Sequence, residues 1–386
     1  MVSSELPAPT WIATPASLKK LTDELARCSR IAVDTESNSL HAFREQLCLI
    51  QFSTDRVDYL VDPLAIDDLS LLNPIFANPR IEKVFHAVEY DLICLSRDLG
   101  VKVVNLFDTM QAARILGCKQ VGLDSVIAAR LGIALDKKYQ KADWGKRPLT
   151  REMLDYARFD THYLLELRDS LQAELEQRGR WALAQEEFSR LALGNSNGKP
   201  EVPAWQRVKG AQKCNNLQLA ILHELCKWRE DQARSMNRPV FRVLDDYRLV
   251  DIATSAPEDQ DALADIGLTD RQIDLYGNRI LQAVSRGKRS PAISRPRVVR
   301  PKQAYLDRLN RLTEWRKTAA LKEKVESDVV LPKPWMARIA EKDPVNAFEL
   351  SQLMPNAPWR LEHFGEEILK ALHKKGSTIP KDTTKE

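Results

Sequence analysis

Arg30-Ile31-Ala32-Val33-Asp34-Thr35-Glu36 decides the fold of this chain. An apolar run leading into alternating polar residues predicts a β-strand. Side chains alternate across a strand, so Asp34 and Glu36 share one face while Ile31 and Val33 bury the other. Working outward, residues 47–53 and 57–62 read as two further strands, closed by Pro63. Residues 81–86 predict a fourth strand and 102–106 a fifth, with helical periodicity over 66–77, 88–99, 108–117 and 122–131. Strands in a run, then strands alternating with helices, predict a mixed α/β sheet.

From Thr150 the spacing of Leu154, Ala157, Thr161, Leu164, Leu165 and Leu167 predicts a long helical stretch, with a second helix over 179–193. Asn195-Ser196-Asn197-Gly198-Lys199-Pro200 is composed as a linker. Beyond it the chain repeats itself at a spacing of 87. Leu222, Leu225, Trp228 and Arg229 are matched by Leu309, Leu312, Trp315 and Arg316; Leu249 and Ile252 by Met336 and Ile339. After one added residue, Tyr276-Gly277 and Ile280 are matched by Phe364-Gly365 and Ile368. Two copies of a small helical module fit this register. Residues 286–302 hold seven basic residues, three prolines and no acid, and read as an extended cationic tether.

The chain has 386 residues, enough for two or three domains. Its 44% hydrophobic and 29% charged residues fit a water-soluble globular protein. No apolar stretch of membrane-spanning length occurs, and the first residues lack the pattern of a signal peptide. The six cysteines form no Cys-x-x-Cys pair, which predicts buried thiols in a reducing cytoplasm. A net charge of +4 permits nucleic-acid binding without requiring it.

The acids carry the chemistry. Asp91 follows the apolar 83–86 run in the first turn of the 88–99 helix, where it also complements the helix dipole. Tyr156 and Asp160 stand four apart, on one helix face. Four convergent carboxylates and a phenol suit a phosphodiester cleaver that uses hard dications, which prefer oxygen ligands.

Together these motifs resemble ribonuclease D, within the 3′–5′ exonucleases marked by four acids and a tyrosine. Its Asp-x-Glu motif matches Asp34 and Glu36, its Asp after His-Ala matches Asp91 after His86-Ala87, and its Tyr-x-x-x-Asp matches Tyr156 and Asp160. The segments 47–51, 142–149 and 153–165 also match, and the repeat resembles the HRDC domain of helicases and ribonuclease D. The resemblance spans about residues 10–375. It implies a ribonuclease H-like α/β exonuclease domain over 1–195, an HRDC domain over 213–293 and an HRDC-like domain over 302–380. The second is less typical, with Pro332 and Pro334 interrupting it.

The family mechanism implies two divalent cations, Mg2+ with Mn2+ as the alternative, about 4 Å apart. Asp34 would bridge them, Glu36 and Asp160 would complete the ion holding the attacking water, and Asp91 would hold the other through water. Tyr156 would orient the nucleophile. The expected substrate is RNA with a free 3′ end, transfer-RNA precursors above all, and the expected product nucleoside 5′-monophosphate. A cytoplasmic monomer is expected. The alternatives are a DNA 3′–5′ exonuclease, which shares these acids, and an inactive nucleic-acid-binding protein.

The remaining residues have structural readings beside functional ones. His86, His162, Trp228 and Trp315 read as packing, and Asp108 as a helix cap. Trp144 reads equally as a cleft cap or a base-stacking platform. Lys137, Lys138, Lys141, Lys146, Arg147 and Arg151 read as a phosphate-binding group before the Tyr156 helix.

Overall fold

The structure, a computed structural model, describes residues 6–194, 202–295 and 300–374. Its first part is a six-stranded mixed sheet in the order β1-β4-β3-β2-β5-β6, formed by Thr10–Ile12, Arg30–Ser37, Leu47–Ser53, Asp58–Val61, Glu82–Phe85 and Leu106–Asp108 in chain order. β2, β3 and β4 form an antiparallel meander, while β2, β5 and β6 run parallel. The predicted mixed sheet is therefore present. Short β1, parallel to β4 at the edge, was not foreseen.

Helices of eight or more residues are numbered along the chain. In the first part these are α1 (Pro15–Leu25), α2 (Glu89–Leu99), α3 (Leu123–Leu131), α4 (Arg151–His162), α5 (Leu164–Gln177) and α6 (Trp181–Leu193). Two expectations shift. The strand expected over 102–106 pairs only from Leu106, because Asn105 turns the backbone at φ 51°. The helix expected over 66–77 shrinks to a turn at Ser70–Leu72 and a short helix at Asn73–Phe76. There the Asp68 carboxylate takes the Ser70 N–H at 2.8 Å and Pro74 has none to give.

The meander and α4 together build the site. β3 is buried along its whole length, as a central strand covered on both faces should be. α4 starts at Thr150, whose side chain caps Met153 N, and lies against β3, β4 and β2. Its placement comes from Asp58 on β4, which gathers Ser53, Arg158 and His162 around one buried carboxylate. Thr161 completes the clamp through Ser53 at 2.7 Å.

Two helical modules follow, each with its own apolar core. The first holds α7 (Asn216–Ser235), α8 (Asp246–Ser255) and α9 (Asp270–Arg289); the second holds α10 (Gln303–Glu323), α11 (Lys333–Lys342) and α12 (Pro358–His373). The repeat positions Leu222, Leu225, Leu249, Ile252 and Ile280 are buried in one, and Leu312, Met336, Ile339 and Ile368 in the other. Trp205, Val208 and Ala211 also join the first core, upstream of position 213. Pro332 and Pro334 do not interrupt the second module. They open α11, where a missing N–H costs nothing.

The cationic stretch is less extended than its composition suggests. Its start, to Arg289, is the last turn of α9, and Ile293 and Arg295 fold back on the first module. Residues 296–299 and the linker at 195–200 lie outside the described residues. The six cysteines are unpaired; four are buried and two half-buried. Among the described residues no helix is long and apolar enough to cross a membrane.

Candidate active site

Asp34 and Glu36 project from β2 toward the α4 face that carries Asp160, and each of the three offers a carboxylate oxygen within 4.8 Å of the others. Asp91, in the first turn of α2, stands beside this triad rather than in it: its Oδ1 accepts the Thr35 hydroxyl at 2.5 Å. α2 is aimed by Asp108, which accepts the N–H groups of Ala87 and Val88 at 3.2 and 2.9 Å. Asp108 also caps the short helix Thr109–Ile115 through the N–H groups of Met110 and Gln111. The expected cap is thus real, and it reaches the strand end that launches Asp91.

The electrostatics of the four acids are those of an uncompensated cluster. Burial, followed by the charges of Asp91, Asp160 and Glu36, holds the Asp34 carboxyl well above the usual carboxylate range. Glu36 is raised in the same way by burial, Asp160 and Asp91. Burial pushes Asp91 up to about 7, against the opposing Thr35 hydrogen bond. Asp160 is pushed up to about 7 by burial and by Asp91. Among the described residues no Lys, Arg or His nitrogen comes within 4 Å of any of them.

Crowded carboxylates that lack a protein cation are an oxygen donor set suited to hard divalent ions. The residues present therefore fit a metal centre. Tyr156, one turn before Asp160, has its phenol raised above the ordinary value by burial and by the charges of Asp160, Glu36 and Asp34. It keeps its proton at Oη and is a donor.

Comparison with known proteins adds the family. The 3′–5′ exonuclease family matches residues 9–176, and the HRDC domain matches 218–284 and 306–372. Ribonuclease D of Desulfotalea psychrophila is 31% identical over 288 residues, covering 74% of this chain and 77% of that protein. The chain belongs to the ribonuclease D family. The crystal structure of Escherichia coli RNase D, described as an exoribonuclease involved in structured RNA processing, matches with a TM-score of 0.70 at 25% identity. That match covers 95% of this chain and 99% of the other. Protein RRP6-like 3 of Arabidopsis thaliana is 34% identical over 285 residues, 66% of this chain, but this chain spans only 31% of that protein's length.

Set within a ribonuclease D frame, several side chains take roles that differ from expectation. Trp144 is only 1% exposed and packs on Tyr156 with ring centroids 6.1 Å apart, so it walls the site and offers no face to a base. Tyr139 meets Tyr156 edge-on at 6.0 Å. Arg147 leaves the phosphate-binding group: its guanidinium binds Asp62 at 2.6 and 2.7 Å and the carbonyls of Cys48 and Trp144. Lys137 is paired with Asp124 at 2.8 Å. Lys138, Lys141 and Arg151 remain exposed on this rim.

His162 serves Asp58 and is structural. His86 donates to or accepts from Thr109 at 2.8 Å, and burial pushes its pKa down to about 4, which keeps the ring neutral.

Two supporting residues carry no assigned role in the sequence reading. Gln51 Nε2 donates to Asp34 Oδ2 at 3.2 Å, and Thr35 donates to Asp91. Gln51 stands opposite Asp34 in the β2–β3 register. A lone amide inside an otherwise apolar strand was the signal available for it.

Proposed function

We propose that this chain is a 3′–5′ exoribonuclease that hydrolyses RNA from a free 3′ end to nucleoside 5′-monophosphates, with Asp34, Glu36, Asp91, Tyr156 and Asp160 as its catalytic residues. The observation that supports it most directly is the carboxylate triad of Asp34, Glu36 and Asp160, crowded within 4.8 Å without a neutralising side chain. The reading includes an exonuclease domain over 1–195 and HRDC-type modules over 213–293 and 302–380, acting in the cytoplasm on precursors of structured RNA such as transfer RNA.

The four carboxylates would hold two divalent cations, Mg2+ or Mn2+, which when bound supply the charge that activates water and stabilises the departing 3′ oxygen. Gln51 and Thr35 fix the rotamers of Asp34 and Asp91, so the donor set is organised before ligand arrives. Tyr156 donates from Oη and orients the nucleophile or the scissile phosphate; a phenol this reluctant to ionise is no general base. Trp144 and Tyr139 shield one side of the phenol from solvent.

The test is product analysis on an RNA hairpin with a short 3′ tail and on its DNA counterpart, with and without Mg2+. Metal-dependent stepwise release of 5′-monophosphates from RNA is expected. Release of other products, or none, sinks the reading. Equal digestion of both polymers favours the DNA exonuclease alternative, and binding without release favours the inactive one.

A further inference from the structure

The two helical modules grip the catalytic domain in different ways. The second is bolted to it: Arg360 is buried against Glu186 and Glu187, Arg114 pairs with Glu326 at 2.6 Å, and Arg180 donates to the Glu323 carbonyl at 2.7 Å. Among the described residues a single hydrogen bond and no ion pair join the first module to that domain. Asn237 Oδ1, just past the end of α7, accepts the Phe43 N–H at 3.3 Å. The Phe43 ring is half-buried against the apolar core of the first module, and the Arg234 guanidinium lies over it at 5.3 Å.

Phe43 belongs to the 38–46 loop between β2 and β3, and the inner side of that loop reaches β2, α2 and the segment that walls Tyr156. At β2 the register against β3 shifts between Glu36 and Ser37, so regular pairing does not fix the strand end. The loop does: the Ser37 hydroxyl donates to Glu45 Oε1 at 2.9 Å. Glu45 Oε2 accepts from Arg97 Nη1 at 2.7 Å, and Arg97 lies on α2, the helix that carries Asp91 in its first turn. On the third side His41 Nε2 stands 3.1 Å from the Lys141 carbonyl, and the Asn38 amide packs so closely on Gly145 that a Cβ there would stand 3.2 Å from its Nδ2. Gly145 follows Trp144, whose indole packs on Tyr156.

The loop is also closed on itself. Asn38 Oδ1 accepts the Gln46 N–H at 2.9 Å, and the Asn38 carbonyl accepts the N–H groups of His41 and Ala42 at 2.9 and 3.0 Å. A loop braced in this way passes a displacement of its tip to its base instead of absorbing it. The tip is held by one neutral hydrogen bond, one cation–π contact and one apolar ring, a small contact from which a module can release.

We propose that the first module, by docking on Phe43, sets the 38–46 loop and through it the geometry of Glu36 and Asp91, so that Phe43 is a positioning residue for hydrolysis. This rests on the exonuclease reading. The catalytic centre is at its best geometry only while the first module is seated, whereas the second module is a fixed part of the frame.

The test uses the full chain and the p-nitrophenyl ester of uridine 5′-monophosphate, a substrate of one nucleotide that leaves no polynucleotide strand for the first module to hold. Nitrophenol release with Mg2+ is followed, and Mn2+ affinity is measured by calorimetry. Phe43→Ala is expected to lower kcat about tenfold, with KM within about twofold, as a small displacement of catalytic groups does, and to weaken Mn2+ severalfold. Phe43→Tyr keeps the ring and is expected to restore both. Arg234→Ala combined with Asn237→Gly alters the module side alone, and glycine accepts the φ of 44° at position 237. A severalfold loss of kcat and of Mn2+ affinity is expected there too. Parental kcat and Mn2+ affinity in that double variant overturn the proposal, even where Phe43→Ala is impaired, because Phe43 would then serve only the packing of its own domain. An unmodified chain that releases neither nitrophenol nor mononucleotides from RNA counts against the catalytic reading, and the Mn2+ affinities of the variants still decide the coupling.

Discussion

Arg158 on α4 donates twice to Asp58 Oδ2 on β4, at 2.8 and 3.1 Å, with both side chains buried. This pair fixes the helix that bears Tyr156 and Asp160 against the strands beside Asp34 and Glu36. Burial raises the Asp58 carboxyl, but the hydrogen bonds of His162 and Ser53 and the Arg158 charge outweigh it and hold the pKa below its usual value. Asp58→Ala leaves Arg158 buried and unpaired, so a loss of about 3–5 kcal/mol in chemical denaturation is expected. Residual folded enzyme should also lose turnover, because a 1 Å displacement of Asp160 costs up to about 100-fold. Full activity in the folded variant would show that α4 is held by other contacts.

Asp34→Asn removes one charge from the triad and keeps its shape. Turnover should fall by about 1,000-fold or more, while RNA affinity measured by anisotropy stays within a few-fold. The variant should melt no lower than the parent in metal-free buffer, since it relieves repulsion from Asp91, Asp160 and Glu36. Near-parental hydrolysis would remove Asp34 from the mechanism.

Tyr156→Phe deletes a donor while keeping the ring that packs on Trp144 and Tyr139. The drop in kcat should be about 10- to 100-fold, with metal affinity by calorimetry unchanged. Equal rates for the two proteins would mark the phenol as packing alone.

The sequence made the centre of this fold legible because its signals are local. Alternation in 30–36 announces both the strand and the shared face of Asp34 and Glu36, and a spacing of four places Tyr156 beside Asp160. Features that depend on distant partners were not legible. Asp58 meets Arg158 across 100 positions, and Gln51 finds Asp34 only once the β2–β3 register is set. Arg147 illustrates the converse error: within a run of lysines it looks like a phosphate ligand, yet Asp62, 85 positions away, claims it. Trp144 faced the same limit, since nothing local says which side of an indole is covered.

The acid cluster should make the metal-free protein sensitive to pH in an unusual direction. Asp91 and Asp160 have folded pKa values of about 7, above an unfolded value near 4, and Asp34 and Glu36 are also raised. Raised carboxyls favour the folded state when protonated, so their contribution is complete below about pH 4 and is lost as pH rises through about 7. The metal-free melting temperature should therefore fall between pH 5 and 8, less steeply in Asp34→Asn, and saturating Mg2+ should restore it. Metal affinity should rise over the same interval as protons leave the ligands. A metal-free melting temperature that climbs from pH 5 to 8 equally in both proteins would show that the carboxylates are not crowded in solution.

The second module is tied to the catalytic domain by a fully buried arginine. Arg360, at the start of α12, donates to Glu186 Oε1 at 2.5 Å, to Glu187 Oε2 at 2.9 Å and to the Val329 carbonyl, while Glu186 Oε2 accepts the N–H groups of Trp359 and Arg360. Each nitrogen of that guanidinium has an acceptor, which is the condition under which a buried ion pair holds. Arg360→Met leaves the buried Glu186 without a cation, while Glu187 keeps Arg190 at 2.6 Å, and a loss of about 3–5 kcal/mol is expected, with faster proteolysis as the module loosens. Replacing Glu186 by glutamine in the same chain should recover part of that loss, because it removes the unpaired charge and keeps an acceptor for the Trp359 and Arg360 N–H groups. If Arg360→Met alone leaves denaturation and proteolysis unchanged, the module is held by its apolar contacts and the buried cluster is incidental.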